Sequence, residues 1–158
     1  GIYCSPAIEA RNTSDSDDHI KAKNHISSKT GRVFVGDDMG FLTCYALKDG
    51  KKLWSFKAGK RIVGTPAAAA GIVVFGSADC NIYGVDCKTG QPKWTVKANE
   101  PVLGAVTIAD GIAYVGASDS TFRAIDILTG KVKWILIRII KCLYCILTGK
   151  KGGCDEKD

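Results

Sequence analysis

Three tryptophans, Trp54, Trp94 and Trp134, stand 40 residues apart, and no other feature constrains the chain as strongly. Gly50, Gly90 and Gly130 keep the same interval, as do Gly36, Gly76 and Gly116, and Gly31, Gly71 and Gly111. A fixed period near 40, in register and without a gap, marks a repeat architecture in which each unit leans on the next. The best-kept copy reads AIDILTGKVKW, from Ala124 to Trp134. GVDCKTGQPKW (Gly84 to Trp94) and CYALKDGKKLW (Cys44 to Trp54) precede it.

Each repeat predicts four strands and no helix. A first strand, such as 102–109, is small and apolar. The second, Arg32–Val35, Ile72–Phe75 or Ile112–Val115, is continuously apolar, as a strand covered on both faces would be. The third follows loops at 37–40, 77–80 and 117–120. The turns KDG, KTG and LTG come next, with glycine for the positive φ of a tight hairpin turn. The fourth strand carries the tryptophan, and Pro92 suits its start because an outer strand loses little with the missing N–H. Four antiparallel strands per repeat, with apolar inner strands, describe the blade of a β-propeller. The fold class expected is all-β, a partial propeller of about three four-stranded blades. The tryptophan is expected to wedge between neighbouring blades, where it buries about 150–250 Å². Trp54, Trp94, Trp134, Gly50, Gly90 and Gly130 are thus assigned a structural docking role.

The blades divide the chain at about 1–58, 59–98 and 99–138, with a divergent segment at 139–158. The first blade carries an insert, RNTSDSDDHIKAKNHISSKT at 11–30, which has neither helical nor strand period and reads as a surface loop grafted into a hairpin turn. Asp15, Asp17, Asp18, His19 and His25 within it lack the glycine and distal glutamate of a calcium loop, so no metal is expected there. After Trp134 the period breaks. Ile135 to Leu147 is very apolar, but it contains Arg138 and Lys141 and is too short to span a bilayer. Cys142 and Cys145 would face opposite ways on a strand, which argues against zinc.

Seven cysteines with irregular spacing do not form a disulfide framework. Cys44, Cys80 and Cys87 read as small buried hydrophobes. The net charge of +6 is modest, and no basic stripe interleaved with aromatics appears, so no nucleic-acid partner is expected. The chain starts with Gly1, as a processed or cut piece of a longer protein would.

The pattern A-x-D-x-x-T-G-K-x-x-W of AIDILTGKVKW resembles the tryptophan-docking repeat of pyrroloquinoline quinone (PQQ) dehydrogenases and the wider quinoprotein-like propeller superfamily. GVDCKTGQPKW keeps Asp86, Thr89, Gly90 and Trp94, whereas the first copy has Ala46 and Asp49 in place of aspartate and threonine. GRVFVG, GIVVFG, GIAYVG and CSPAI are similar to the blade strands of this family. The resemblance implies one of two kinds of function. Some members are periplasmic dehydrogenases that hold PQQ and calcium, using adjacent cysteines, calcium ligands and a catalytic aspartate. Others have lost the cofactor and act as scaffolds in outer-membrane protein assembly, or as accessory propellers of multidomain enzymes. No adjacent cysteines occur here, and no residue aligns with a calcium ligand or the catalytic base.

The expectation is therefore a non-catalytic binding or scaffold segment with no cofactor, PQQ with calcium belonging only to the dehydrogenase alternative. Three blades do not close a ring, since propellers use about 4–8. The partner expected is a protein, or the remaining propeller blades of a longer chain. An extracytoplasmic, periplasmic home follows from the resemblance alone. A ligand would meet the loops at one end of the blades: Asp37, Asp38, Asp79 and Asp119, with Lys60, Arg61 and Glu100 between blades.

Overall fold

The computed structural model describes residues 7–9 and 31–137. The insert at 11–30 and the segment at 139–158 lie outside the described residues. Among the described residues, twelve strands form three separate antiparallel sheets of four. The first contains β1 (Ala7–Glu9), β2 (Arg32–Gly36), β3 (Phe41–Ala46) and β4 (Lys52–Lys57). The second contains β5 (Ala67–Ala69), β6 (Ile72–Gly76), β7 (Asn81–Asp86) and β8 (Pro92–Lys97). The third contains β9 (Thr107–Ala109), β10 (Ile112–Gly116), β11 (Thr121–Asp126) and β12 (Val132–Ile137). Within each sheet the strands pair in sequence order. The short strands β1 and β9 both approach β5, so the three sheets stand side by side as blades.

The first strands are shorter than the sequence suggests. Val102 and Val106 are buried, yet they belong to the linker between blades and not to β9. That linker crosses the end of the preceding sheet, with Val102 N–H donating to the Ser77 carbonyl at 3.1 Å. Its counterpart does the same one blade earlier, Ile62 N–H donating to Asp37 at 2.9 Å.

Two apolar cores lie between the sheets. Phe34, Leu42 and Cys44 of blade 1 meet Val73, Phe75, Val85 and Cys87 of blade 2. Val74 and Ile82 of blade 2 meet Ala113, Val115, Ile125 and Ile127 of blade 3. The expectation that every second strand is covered on both faces holds only for β6, buried at all five positions. β2 and β10 alternate between buried and half-buried residues. The reason is location: blade 2 has a neighbour on each side, whereas blades 1 and 3 each have one among the described residues. Cys80 also departs from expectation. It is half-buried in the β6–β7 loop with φ of 70°, whereas Cys44 and Cys87 are buried in the first core.

The β5–β6 hairpin turns on two residues with positive φ, Ala70 (50°) and Gly71 (78°), the backbone of a type I′ turn. Alanine is strained there, and the third blade uses Asp110-Gly111 at the same place. Ala70→Asn is expected to stabilise the chain by about 0.5–1 kcal/mol, read as a higher urea midpoint at constant slope. An unchanged or lower midpoint would count against the strained turn.

Blade joints and the candidate ligand-facing loops

The motif that organises the sequence resolves into a turn and a joint. Asp86 Oδ1 accepts hydrogen bonds from Lys88 N (2.9 Å), Thr89 N (2.9 Å) and Thr89 Oγ1 (3.2 Å). Asp126 does the same with Leu128 N (3.2 Å), Thr129 N (3.0 Å) and Thr129 Oγ1 (2.9 Å). These bonds favour the charged carboxylate, led by the Thr89 and Thr129 amides, and hold both carboxyls below the usual range. The D-x-x-T-G string is thus a self-satisfied turn. In blade 1, where Ala46 replaces the aspartate, only Asp49 caps the turn, accepting from Lys51 N at 3.1 Å.

The turn aims a glycine at the neighbouring tryptophan. A Cβ on Gly90 would lie 2.7 Å from the Trp54 ring, and one on Gly130 would lie 2.6 Å from that of Trp94. Trp54 Nε1 donates to the Cys87 carbonyl at 3.1 Å, and Trp94 Nε1 donates to the Ile127 carbonyl at 2.7 Å, each 33 residues downstream. Behind each tryptophan sits a small residue of its own sheet, Cys44 opposite Trp54 and Gly84 opposite Trp94. A Cβ on Gly84 would fall 2.1 Å from the indole. The register between third and fourth strands shifts at this point in all three blades, leaving Leu53, Lys93 and Lys133 as bulged residues before the tryptophan. Such a bulge bends the strand and re-aims the following side chain. Trp134 has the same setting, opposite Ala124, but it is 48% exposed and packs only on Tyr114 and Phe122 of its own blade among the aromatic rings described.

At the other end of the blades, Asp79 and Asp119 occupy equivalent positions in the loops before β7 and β11. Asp79 Oδ2 accepts from Gly59 N of the preceding linker (2.7 Å) and from the Tyr83 hydroxyl (2.7 Å). Burial and this bond to the carboxylate push the Tyr83 phenol up to about 12. Asp119 Oδ2 accepts from Asn99 N (3.1 Å) and pairs with Arg123 Nη2 (2.8 Å). Both members of that ion pair are buried, their side chains 6% and 5% exposed. The Arg123 guanidinium holds the Asp119 carboxyl well below the usual carboxylate range. Each aspartate thus fastens a blade to the linker arriving from the blade before it. Blade 1 has Met39 at this position.

Asp37 accepts from Phe41 N at 2.8 Å and closes its own loop. Asp38, Lys60 and Arg61 come together on a cleft of about 520 Å³ between blades 1 and 2, with Met39, Gly59, Ala78 and Pro101. Asp37, Asp79, Asp119 and Glu100 do not line it. The expected ligand-facing loops thus separate into an open cleft, the structural carboxylates Asp37, Asp79 and Asp119, and the exposed Glu100.

Over residues 11–101 and 81–144 the sequence matches the family described as outer membrane protein assembly factor BamB. The chain belongs to this BamB-like family of PQQ-repeat propellers. Among solved structures, BamB from Moraxella catarrhalis is similar, with a TM-score of 0.68 and 16% identity. That alignment covers 86% of this chain and 37% of that one. The computationally designed Ika8 protein has a TM-score of 0.61 and 22% identity over 66% of this chain and 33% of its own. The chain thus spans about a third of the length of these two solved structures. No match is found among curated proteins.

Within this BamB-like chain the cleft fits calcium poorly. Calcium takes about six to eight oxygen ligands. The cleft offers one carboxylate, Asp38, beside the cationic Lys60 and Arg61. Among the described residues no three His, Cys, Asp or Glu side chains gather as metal ligands. Two structural devices escaped sequence reasoning, the Asp–linker staple and the Tyr83 or Arg123 that completes it. The spacing of Asp79 and Asp119, 40 residues apart and 20 after the linker amide, is the signal that could have revealed them.

Proposed function

We propose that this chain is a non-catalytic, protein-binding scaffold segment of a BamB-like propeller. The observation that carries the reading is the family match over residues 11–144, to a family described as an assembly factor. The site geometry supports it. The carboxylates that a catalytic or metal site would recruit, Asp79 and Asp119, are engaged in fastening blades together. The cleft beside them, with Asp38 against Lys60 and Arg61, presents mixed charge suited to the polar rim of a protein contact. The family description also supports a periplasmic setting at the outer membrane, to be checked by fractionating the source cells. No helix among the described residues is long and apolar enough to cross a membrane.

The reading predicts that PQQ with calcium leaves both the melting temperature and the quinone absorbance unchanged. A saturable shift in either would overturn it, because a ligand that binds the folded state stabilises it by mass action.

A further inference from the structure

We propose that the end of the blades formed by the β3–β4, β7–β8 and β11–β12 turns docks on an anionic phospholipid surface. These turns lie in a row, because the second and third each seat a glycine on the tryptophan of the blade before. All three are rich in lysine. The first carries Lys48, Lys51 and Lys52, the second Lys88 and Lys93, and the third Lys131 and Lys133, all exposed. No arginine and no aromatic side chain occurs in the segments 47–53, 87–93 and 127–133.

The three carboxylates of these turns are already engaged. Asp49 accepts from Lys51 N. Asp86 and Asp126 close their turns through Oδ1, and their Oδ2 atoms lie 3.7 Å from Lys93 Nζ and 3.3 Å from Lys133 Nζ. Lys48, Lys51, Lys52, Lys88 and Lys131 make no ion pair among the described residues. Seven cations therefore stand against three anions. At the opposite end, the segments 37–40, 57–62, 77–80, 97–102 and 117–123 hold five acidic and five basic residues. The excess positive charge is thus confined to one end of the blades. Two leucines rise among the lysines, Leu53 at 46% and Leu128 at 64% exposure. Their exposure comes from the turn and not from a missing neighbour. The equivalent residues of blade 2, Lys93 and Lys88, are exposed although a blade stands on each side. Leu128 shares a cleft of about 420 Å³ with Lys88, Lys93, Asp86 and the Ala70–Ile72 hairpin. An anionic headgroup there meets two ammonium groups and an apolar lip.

The side-chain chemistry selects the partner. Protein interfaces are enriched in arginine and aromatic residues and depleted in lysine. Single-stranded nucleic acid calls for aromatic platforms between the cations. A lipid surface asks for neither. Lysine is a compact point charge on a flexible stem, suited to a diffuse layer of phosphates. Its apolar stem and the neighbouring leucines can settle at the headgroup boundary while the charge stays in water. Each lysine near an anionic leaflet strengthens binding about fivefold. The contact lies at the opposite end of the blades from the cleft of Asp38, Lys60 and Arg61, so it leaves that cleft free and does not depend on the scaffold reading.

The test is co-sedimentation of the full chain with vesicles of phosphatidylcholine alone, and of phosphatidylcholine mixed with phosphatidylglycerol, at about 0.05 and about 0.5 M salt. The chain is expected to bind the mixed vesicles at low salt, to leave them at high salt, and to ignore the neutral ones. Lys88→Gln with Lys131→Gln should weaken binding by about 25-fold. Leu128→Ser should weaken it without changing its salt dependence. Lys57→Gln with Lys97→Gln removes the same charge at the other end and should change binding less than about threefold. Circular dichroism checks that each variant folds, as substitution at exposed positions allows. A chain that ignores mixed vesicles, or binds neutral ones equally well, overturns the proposal. So does an equal loss in the two lysine pairs, which would reduce the effect to overall charge. Capture by polyadenylate or polyglutamate without vesicle binding would assign the lysines to a nucleic acid or an acidic protein, and overturns it as well.

Discussion

Trp94→Ala is expected to lower the unfolding free energy by about 3–5 kcal/mol, the cost of truncating a buried aromatic in a packed core. The indole fills the gap between Gly84 behind it and Gly130 in front of it. Neither glycine has a side chain that could close over the space, so the cavity left behind cannot collapse locally. The Ile127 carbonyl also loses the donor that reaches it at 2.7 Å. Trp94→Phe should recover most of the loss, leaving a deficit of about 1 kcal/mol for the missing hydrogen bond, together with some cavity. Urea unfolding, read at the midpoint with an unchanged slope, measures both variants. A loss below about 1 kcal/mol for the alanine variant would show that Trp94 does not hold blades 2 and 3 together.

The second large effect comes from the opposite end of the same joint. Asp119→Ala is expected to cost about 3–5 kcal/mol, because it leaves a buried guanidinium without its counter-charge. Arg123 is 4% exposed, and its Nη2 lies 2.8 Å from Asp119. Thr121 bridges the two side chains, and Asn99 N–H from the preceding linker completes the group. Adding Arg123→Met to Asp119→Ala should return most of the stability, since an apolar side chain of similar length replaces the stranded charge. The ion pair also sets a pH dependence. The Asp119 carboxyl is depressed in the folded chain, chiefly by Arg123, so its contribution is present above the unfolded value of about 3.9. That contribution is lost as pH falls below this value toward the folded one. Asp86 and Asp126 are depressed as well and add in the same direction. The melting temperature should therefore fall steeply below about pH 4, and Asp119→Ala should flatten that fall. An acid limb of equal steepness in the variant would remove Asp119 from the explanation.

The repeat made the blade legible because its signals are local. Turn glycines, apolar second strands and the tryptophan position depend on one strand and its neighbours in sequence, and all three sheets form as they imply. Burial was not local. Val33, Val73 and Ala113 look alike in the sequence, yet Val33 is half-buried and the other two are buried. The difference lies in which sheet stands beside each strand. The candidate site was legible only as a set of loops. Aspartates at 37, 38, 79 and 119 share turn chemistry, and nothing in their own segments separates those that face a cleft from those that fasten a linker. The partner amides of Asp79 and Asp119 lie 20 residues upstream, beyond any turn pattern. The β-bulge before each tryptophan was also invisible, because a bulge is a property of two strands and their register.

The 33-residue reach from each indole to its receiving carbonyl has a consequence for how such a chain can be divided. The cooperative unit is the joint, and it is out of phase with the blade. A module excised from one linker to the next would contain a complete sheet, yet it would separate each tryptophan from the turn that receives it. A module cut between the third and fourth strands would split one sheet but keep a tryptophan and its receptor on the same piece. Recombination that preserves the 40-residue interval can therefore exchange such pieces freely, whereas a single-residue change in the path between an indole and its carbonyl must be absorbed in a projecting hairpin.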